Sequence, residues 1–193
     1  MKTLIINGAA KKNGDTQTLI DAFLSGLSGE YRIISRESGI SPCTDCRRCW
    51  HTPGCSIADP MQEIYAYLCD CDNVVLASPI WFSSLSGPTL DLCSQFQTFF
   101  AGKFFRHDFI PQSVRPKNGV LLLVGAQPGT EEQPIKNAKT ILHLVNVPDD
   151  KLTVVRAMHN DQRPATEDEA ALRAARLAAE KLSGERGNDE GDF

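Results

Sequence analysis

The sequence contains no apolar run that approaches the length of a membrane-spanning helix, and it has no excess of basic residues. Its 20 lysines and arginines against 24 aspartates and glutamates give a formal net charge of −4, which does not favour a general nucleic-acid-binding protein. The apolar stretch at residues 4–6 is too short for the core of a signal peptide. We therefore expect a cytoplasmic protein that binds neither membranes nor nucleic acid.

Common catalytic and nucleotide-binding patterns are also missing. No Ser-His-Asp arrangement or HExxH motif is visible, so hydrolysis has no support. The loop after the first apolar segment is not a Walker A loop, because the spacing from Gly8 to Gly14 is one residue too long and Asp15 stands where lysine is required. The loop does not read G-x-G-x-x-G either.

Short apolar segments alternate with stretches of helical periodicity, without an internal repeat or a domain linker. The pattern predicts strands at residues 3–7, 31–35, 73–79, 119–126 and 151–155. It predicts helices at residues 16–27, from 60 to 68, and at 86–100, 135–145 and 167–182. This alternation indicates an α/β three-layer sandwich with a five-stranded parallel sheet in the order 2-1-3-4-5. We expect one domain over residues 1–183 and a flexible tail at residues 184–193.

In a sheet of this type ligands bind at the carboxyl ends of the strands, which draws attention to two loops. Residues 7–18 form a glycine-containing turn before a helix, and such a turn either cradles a phosphate monoester or is an ordinary strand-to-helix connection. Residues 78–87 place Trp81 and Phe82 beside Pro79, as a wall for a planar ring or as a seal over the sheet. A phosphate cradle and an aromatic wall together indicate a flavin mononucleotide (FMN) pocket.

These segments resemble the flavodoxin-like FMN reductases, including the iron–sulfur flavoproteins. The segment NGAAKKNGDTQTLI is similar to the phosphate loop of that family, SPIWFSSLSGP to its second flavin loop and GVLLLVGAQPGT to its third. The segment PCTDCRRCWHTPGCSIADPM resembles its cysteine segment, with C-x2-C-x2-C-x5-C spacing. The resemblance covers residues 1 to about 155. Ala9 stands in place of a family serine, Asp15 in place of asparagine, and Ser94-Gln95 in place of Asp-Arg.

The resemblance implies a flavodoxin-like fold, bound FMN and an NAD(P)H-dependent oxidoreductase that works as a homodimer or homotetramer. NAD(P)H or a reduced ferredoxin would be the electron donor, and a small molecule or a protein the acceptor. No residue is assigned a catalytic role of its own, since the flavin carries the chemistry. The predicted cofactor-binding residues follow the three loops: Ala9, Lys11, Asn13, Asp15, Thr16, Gln17, Pro79, Ile80, Trp81, Phe82, Ser83, Gly125 and Gln127.

Four of the seven cysteines, Cys43, Cys46, Cys49 and Cys55, are crowded into one loop at residues 43–55. Four thiolates can hold a [4Fe-4S] cluster, which is our first interpretation. Three alternatives remain: a zinc site, a redox-active pair in the C-x-x-C of Cys43 and Cys46, and a loop that is packed at a subunit contact.

Two further functions stay open beside the enzyme. The chain could be a non-catalytic flavin electron carrier or redox sensor, or an interaction module that has lost the flavin.

Overall fold

The computed structural model describes residues 1–108 and 115–184. Residues 185–193 of the predicted tail lie outside this part, and Gly184 is the last residue of the final helix. The strands are β1 (Lys2–Asn7), β2 (Glu30–Ser35), β3 (Asn73–Trp81), β4 (Ser84–Leu85), β5 (Asn118–Gly125) and β6 (Leu152–Met158). The helices are α1 (Asp15–Leu24), α2 (Met61–Asp70), α3 (Gly87–Ser94), α4 (Gln97–Ala101), α5 (Glu132–Leu144) and α6 (Glu169–Gly184). Within the described ranges, no helix is both long and apolar enough to cross a membrane.

The main sheet has the order β2-β1-β3-β5-β6, and all of its neighbouring strands are parallel. This is the predicted 2-1-3-4-5 order, with the two-residue β4 attached antiparallel to β3. The predicted flavodoxin-like fold class is therefore confirmed.

Apolar residues on both faces of the sheet form the core. In β1, Leu4 and Ile6 pack into one buried cluster with α2, α3 and α5, whereas Ile5 packs into the other with α1 and α6. This alternation follows from the two-residue period of a strand, and strands covered on both faces read as continuous apolar runs. The fully buried run at residues 120–123 of β5 is the clearest example.

The loop predicted after residue 79 is instead a β-hairpin. β3 continues to Trp81 and pairs with β4, with Trp81 opposite Ser84. The two turn residues, Phe82 and Ser83, have φ angles of 50° and 54°. Positive φ at both central positions is typical of the type I′ turn that suits a two-residue hairpin, although its usual glycine and asparagine residues are missing here. The sequence therefore carried no clear signal for this turn.

The helix predicted at residues 86–100 is broken into α3 and α4 at Gln95 and Phe96. At the break, the Phe96 N–H donates to the Cys93 carbonyl at 2.9 Å, a tighter i to i−3 bond than an α-helix makes. A π-helical turn at Gly102–Arg106 follows α4. The bend lies where the Gln95 side chain turns towards the cysteine loop.

Glycine is required at position 8, directly after β1, because the backbone there lies very close to the Ala77 carbonyl and the Thr89 side chain. Its N–H donates to the Ala77 carbonyl at 2.8 Å. A Cβ atom at Gly8 would lie 1.7 Å from Thr89 Oγ1 and 2.9 Å from the Ala77 carbonyl oxygen. The first loop of the sheet can therefore pack against α3 only when this position has no side chain.

We expect Gly8→Ala to lower the free energy of unfolding by about 1–3 kcal/mol, because the new methyl group overpacks the contact with Thr89. The matched control is Gly184→Ala at the end of α6, where an added Cβ would meet no atom within 4 Å outside its own helix and chain neighbours, so no loss is expected. Urea denaturation of the two variants and the parent measures both effects. Equal stability of the two variants would contradict the packing argument.

Candidate functional site

A cavity of about 410 Å³ lies at the carboxyl edge of the sheet, where β1 and β3 end. This volume is within the usual range for small-molecule sites, roughly 300–1,000 Å³. The structure brings seven of the thirteen predicted cofactor-binding residues to its walls: Ala9, Lys11, Asn13, Asp15, Thr16, Pro79 and Trp81. Ala10, Gly14, Val124 and Asn160 complete the lining.

The N-terminus of α1 forms one wall of this cavity and has no side-chain cap. Gly14, the N-cap residue, is extended and has no side chain to offer, and no side-chain cap hydrogen bond is formed. The first backbone N–H groups of a helix have no acceptor within the helix, and they carry the positive end of its dipole. Together with Lys11, this wall is suited to an anionic group.

Asp15 lines the same wall, but its carboxylate is bound to the loop after β6. Oδ1 accepts a hydrogen bond from the Ala165 N–H at 2.7 Å, and Oδ2 accepts one from Asn160 Nδ2 at 3.4 Å. These bonds bring Asn160 to the cavity wall. The negative charge of Asp15 nevertheless remains in the first turn of α1, beside the anion-binding N–H groups.

Trp81 and Pro79 form the opposite wall. Trp81 is 42% exposed and lines the cavity, so part of its surface is available to a ligand. Phe82 does not contribute, since it lies at the tip of the hairpin and is fully exposed, and Ser83 beside it also lies outside the lining.

The remaining predicted residues lie around the cavity rather than in its lining. Gln17 is turned to the outer side of the first loop, where it accepts from Asn7 Nδ2 at 2.9 Å and donates to Asp21 at 2.8 Å. Ile80 packs against Gly125, where an added Cβ would lie 3.0 Å from Ile80 Cδ1. Gln127 is exposed on the loop after β5.

A separate cavity of about 100 Å³ is bordered by all four cysteines of residues 43–55. Trp50, Phe100 and Phe105 supply aromatic walls, and the Trp50 and Phe105 rings lie 4.3 Å apart. The other three cysteines are elsewhere: Cys69 is exposed on α2, whereas Cys71 and Cys93 are buried.

Polar contacts from neighbouring elements fix the backbone of the cysteine loop. The Cys43 N–H donates to Ser94 Oγ at 2.8 Å. Gln62 Nε2 donates to the carbonyls of Cys55 at 3.2 Å and Ile57 at 2.7 Å, and Arg106 donates to the Cys49 carbonyl. The loop is thus held from α2, from the end of α3 and from the π-helical turn.

The four thiols differ in their electrostatic surroundings. Hydrogen bonds from Ser56 and from the Arg48 backbone lower the pKa of the exposed Cys46 thiol. Burial, followed by the proximity of the three other thiols, raises the pKa of Cys49. Burial and the neighbouring Cys55 also raise the pKa of the Tyr65 hydroxyl above its ordinary value. Cys43, Cys46 and Cys55 thus lie close enough to Cys49 to disfavour its ionisation.

The described ranges contain no group of three or more histidine, cysteine, aspartate or glutamate side chains that is placed to hold a single metal ion. The four loop cysteines border one cavity, but no three of them are placed to hold a metal ion together. A mononuclear zinc site requires four ligands at about 2.0–2.3 Å from one ion, and this arrangement does not support it.

Sequence reasoning missed Asn160 and Gln95, which line the two cavities. Asn160 follows the last strand, so the rule that ligands bind at the carboxyl edge could have included it. Gln95 stands between the buried residues Cys93 and Phe96, and a polar residue in such a position is a signal for a specific partner.

Comparison with known proteins shows the family to which the chain is similar. Residues 1–154 match the protein family described as NADPH-dependent FMN reductase. The sequence is 29% identical over 90 residues to an iron–sulfur flavoprotein of Methanocaldococcus jannaschii, a match that covers 45% of this chain and 47% of that protein. It is 26% identical over 152 residues to an iron–sulfur flavoprotein of Methanosarcina thermophila, covering 75% of this chain and 74% of the relative. The match thus spans about half the length of the M. jannaschii relative.

Solved structures share the fold at low sequence identity. The protein Smu.1420 of Streptococcus mutans UA159 superposes with a TM-score of 0.65 at 12% identity, covering 94% of this chain and all of the other. This similarity concerns the fold alone.

We expect Asp15→Asn to tighten FMN binding about threefold to tenfold, because it removes a negative charge beside the phosphate while its amide oxygen still accepts from Ala165. Titration of FMN fluorescence at low and high salt measures the gain, which should shrink as salt screens the charge. Asp21→Asn removes an equal charge farther along α1 and should change the affinity less than twofold. Unchanged or weaker binding by Asp15→Asn would contradict a phosphate site at this wall.

We expect Trp81→Ala to weaken FMN binding at least tenfold, because the variant loses the stacking surface of the second wall. Phe82→Ala is the matched control, since the fully exposed Phe82 ring should contribute less than a factor of two. The same fluorescence titration compares the two variants. A larger loss in Phe82→Ala than in Trp81→Ala would place the flavin ring elsewhere.

Proposed function

This chain belongs to the NADPH-dependent FMN reductase family, and we propose that it is a flavin-dependent oxidoreductase that binds FMN at the carboxyl edge of its sheet. The observation that supports this function best is the single cavity shared by the uncapped N-terminus of α1, Lys11 and the Trp81 wall. The phosphate of FMN needs N–H donors and a positive potential, whereas its isoalloxazine ring needs a flat aromatic surface. One wall of the cavity supplies the first and the other wall the second.

The residues present fit the phosphate end of FMN. A phosphate monoester needs several N–H donors and a positive potential, which the first turn of α1 and Lys11 supply. Thr16 adds a hydroxyl group to the same wall. Ala9 offers no hydroxyl, and Asp15 opposes the anion, so the backbone groups carry most of the phosphate binding.

The residues also fit the isoalloxazine end. Pro79 and Trp81 lie on a β-hairpin whose register is fixed by pairing between Ile80 and Leu85, so the wall is rigid. A rigid aromatic surface binds a planar ring without loss of side-chain freedom on binding. Gly125 and Ile80 support this wall from behind rather than contacting the ring.

When bound, FMN supplies hydride exchange with a nicotinamide and one-electron exchange with other partners. The chain's own residues anchor the phosphate, exclude water from one ring face and set the charge around the cavity. NAD(P)H is the donor that the family description favours, and a reduced ferredoxin is the alternative donor. The acceptor is a small molecule or a protein.

We further propose that the cysteine loop holds a [4Fe-4S] cluster. In such a cluster each iron takes one thiolate, so four sulfurs must surround a shared space instead of converging on one ion. Cys43, Cys46, Cys49 and Cys55 border one cavity in this manner. The adjacent Arg47 and Arg48 would offset the negative charge of the ligated cluster. The names of the M. jannaschii and M. thermophila relatives agree with this proposal.

The working unit that we propose is a cytoplasmic homodimer or homotetramer of a single-domain chain. The assembly of two or four copies is supported by the exposed aromatic residue beside the cavity. Phe82 is fully exposed on a hairpin tip, and burying it against a second copy would remove that apolar surface from water.

The flavin proposal predicts that the purified protein takes up about one FMN per chain and then oxidises NADPH in the presence of an artificial acceptor. Absorbance at the NADPH maximum measures turnover, and Trp81→Ala should lose both FMN uptake and activity at low FMN concentration. FMN uptake without steady-state oxidation would favour the electron carrier. Absence of FMN uptake at any concentration would refute the flavin site.

The cluster proposal predicts about four iron atoms and four acid-labile sulfides per chain after anaerobic purification. Serine substitution at any one of the four loop cysteines should lower both contents by more than half. Cys69→Ser, which removes an exposed thiol outside the loop, should leave them unchanged. Stoichiometric zinc, or equal metal content in all variants, would refute the cluster.

A further inference from the structure

Gln95 is a buried polar residue at the bend between α3 and α4, with only 1% of its surface exposed. Both hydrogens of its side-chain amide are used. Nε2 donates to the Ser41 carbonyl at 2.7 Å and to Asp59 Oδ2 at 2.7 Å. On its acceptor side, the Tyr65 hydroxyl lies 3.1 Å from Oε1 and 3.0 Å from the Gln95 backbone carbonyl. Every polar group of the side chain is therefore engaged.

The two partners of the Gln95 amide flank the cysteine loop. Ser41 precedes Cys43 by two residues, and Asp59 follows Cys55 by four. The flanks are also joined directly, because the Ser41 N–H donates to Asp59 Oδ2 at 2.9 Å. Asp59 Oδ1 accepts from the Met61 N–H at 2.9 Å, which attaches this junction to the start of α2. We call Ser41, Asp59 and Gln95 the loop clamp.

Neighbours of Gln95 reach into the loop itself. Ser94 Oγ accepts from the Cys43 N–H, and the Gln97 carbonyl lies 3.9 Å from Cys49 Sγ. Gln95 also lines the cavity that the four thiols border. One turn of chain thus contacts the first thiol residue, the third thiol residue and both flanks of the loop.

We propose that Gln95 is a positioning residue that sets the spacing of the four thiols by closing the loop clamp. This inference rests on the proposed function in one respect, namely that the thiols hold a cluster; the clamp itself is a property of the metal-free chain. A loop whose ends are joined has fewer conformations, so its four sulfurs are arranged around the cavity before any ligand binds.

Two substitutions of Gln95 test the clamp. Gln95→Met keeps the length of the side chain and removes both donors. Gln95→Glu keeps the shape, removes the donors and places a second carboxylate against Asp59. The matched control is Gln133→Glu, which makes the same chemical change at an exposed residue of α5 that does not line the thiol cavity.

The first measurement uses the reduced, metal-free protein. Alkylation rates of individual cysteines with N-ethylmaleimide, followed by peptide mass spectrometry, should rise at least fivefold at Cys43, Cys49 and Cys55 in both Gln95 variants. Cys69 should keep its rate, and Gln133→Glu should match the parent. Unchanged rates at the loop thiols in folded Gln95 variants would overturn the proposal.

The second measurement is anaerobic reconstitution with iron and sulfide, in which both Gln95 variants should incorporate less than a third of the parent's cluster. If the parent takes up no iron, the cluster proposal fails, while the alkylation rates still decide whether the clamp exists. FMN affinity serves as the folding control, because Gln95 does not line the cavity that we propose for FMN, here called the flavin cavity.

A reciprocal exchange separates positioning from a general structural role. In the double variant Gln95→Glu with Asp59→Asn, the new asparagine amide can donate to the new carboxylate, so the bond between positions 59 and 95 reappears with reversed polarity, although the bonds to the Ser41 backbone do not. In the double variant, the alkylation rates of the loop thiols should return at least halfway to those of the parent. Alkylation as fast as in Gln95→Met would refute the clamp, and this comparison does not require Gln95→Glu alone to fold.

Discussion

The arrangement of both cavities depends on one short helix whose two ends are held by buried hydrogen bonds. At the N-terminus of α3, Ser86 Oγ donates to the Gly8 carbonyl at 2.9 Å, and Thr89 Oγ1 donates to Ser78 Oγ at 2.8 Å. At the other end, Gln95 joins the flanks of the cysteine loop. Eight residues of helix span only about 12 Å, so α3 behaves as a rigid connection. The phosphate loop, the tryptophan wall and the cysteine loop therefore share one support.

The flavin cavity contains an electrostatic conflict. The N-terminus of α1 and Lys11 favour an anion, whereas Asp15 places a carboxylate in the same turn. The bonds that Asp15 makes to Ala165 and Asn160 explain why the carboxylate is useful, because they attach the loop after β6 to the start of α1. Asp15 thus attaches this wall to the loop after β6 while its charge opposes an anion, and at the proposed flavin site the affinity for FMN would be the balance of the two effects.

The cysteine loop illustrates why the separation of donors matters as much as their number. Four cysteines in C-x2-C-x2-C-x5-C spacing are compatible with zinc, a cluster or a thiol pair when only the sequence is known. In the structure the four thiols border one cavity, and the part of the chain that it describes has no set placed to hold a single ion. A shared cavity is what the proposed [4Fe-4S] cluster would need, since each of its irons takes one thiolate.

Local patterns in the sequence determined the fold class, the strand order and the loops that form the site. Unbroken apolar strands and amphipathic helices can pack in few ways, and the carboxyl edge of a parallel sheet then brings Lys11 and Trp81 together. Tertiary structure decided which way individual side chains turn. Gln17 faces away from the cavity and Phe82 occupies a hairpin tip. Gln95 lies at the break between α3 and α4 and binds Ser41 and Asp59, which are far from it in sequence. Such contacts depend on packing between distant segments, which no local pattern encodes.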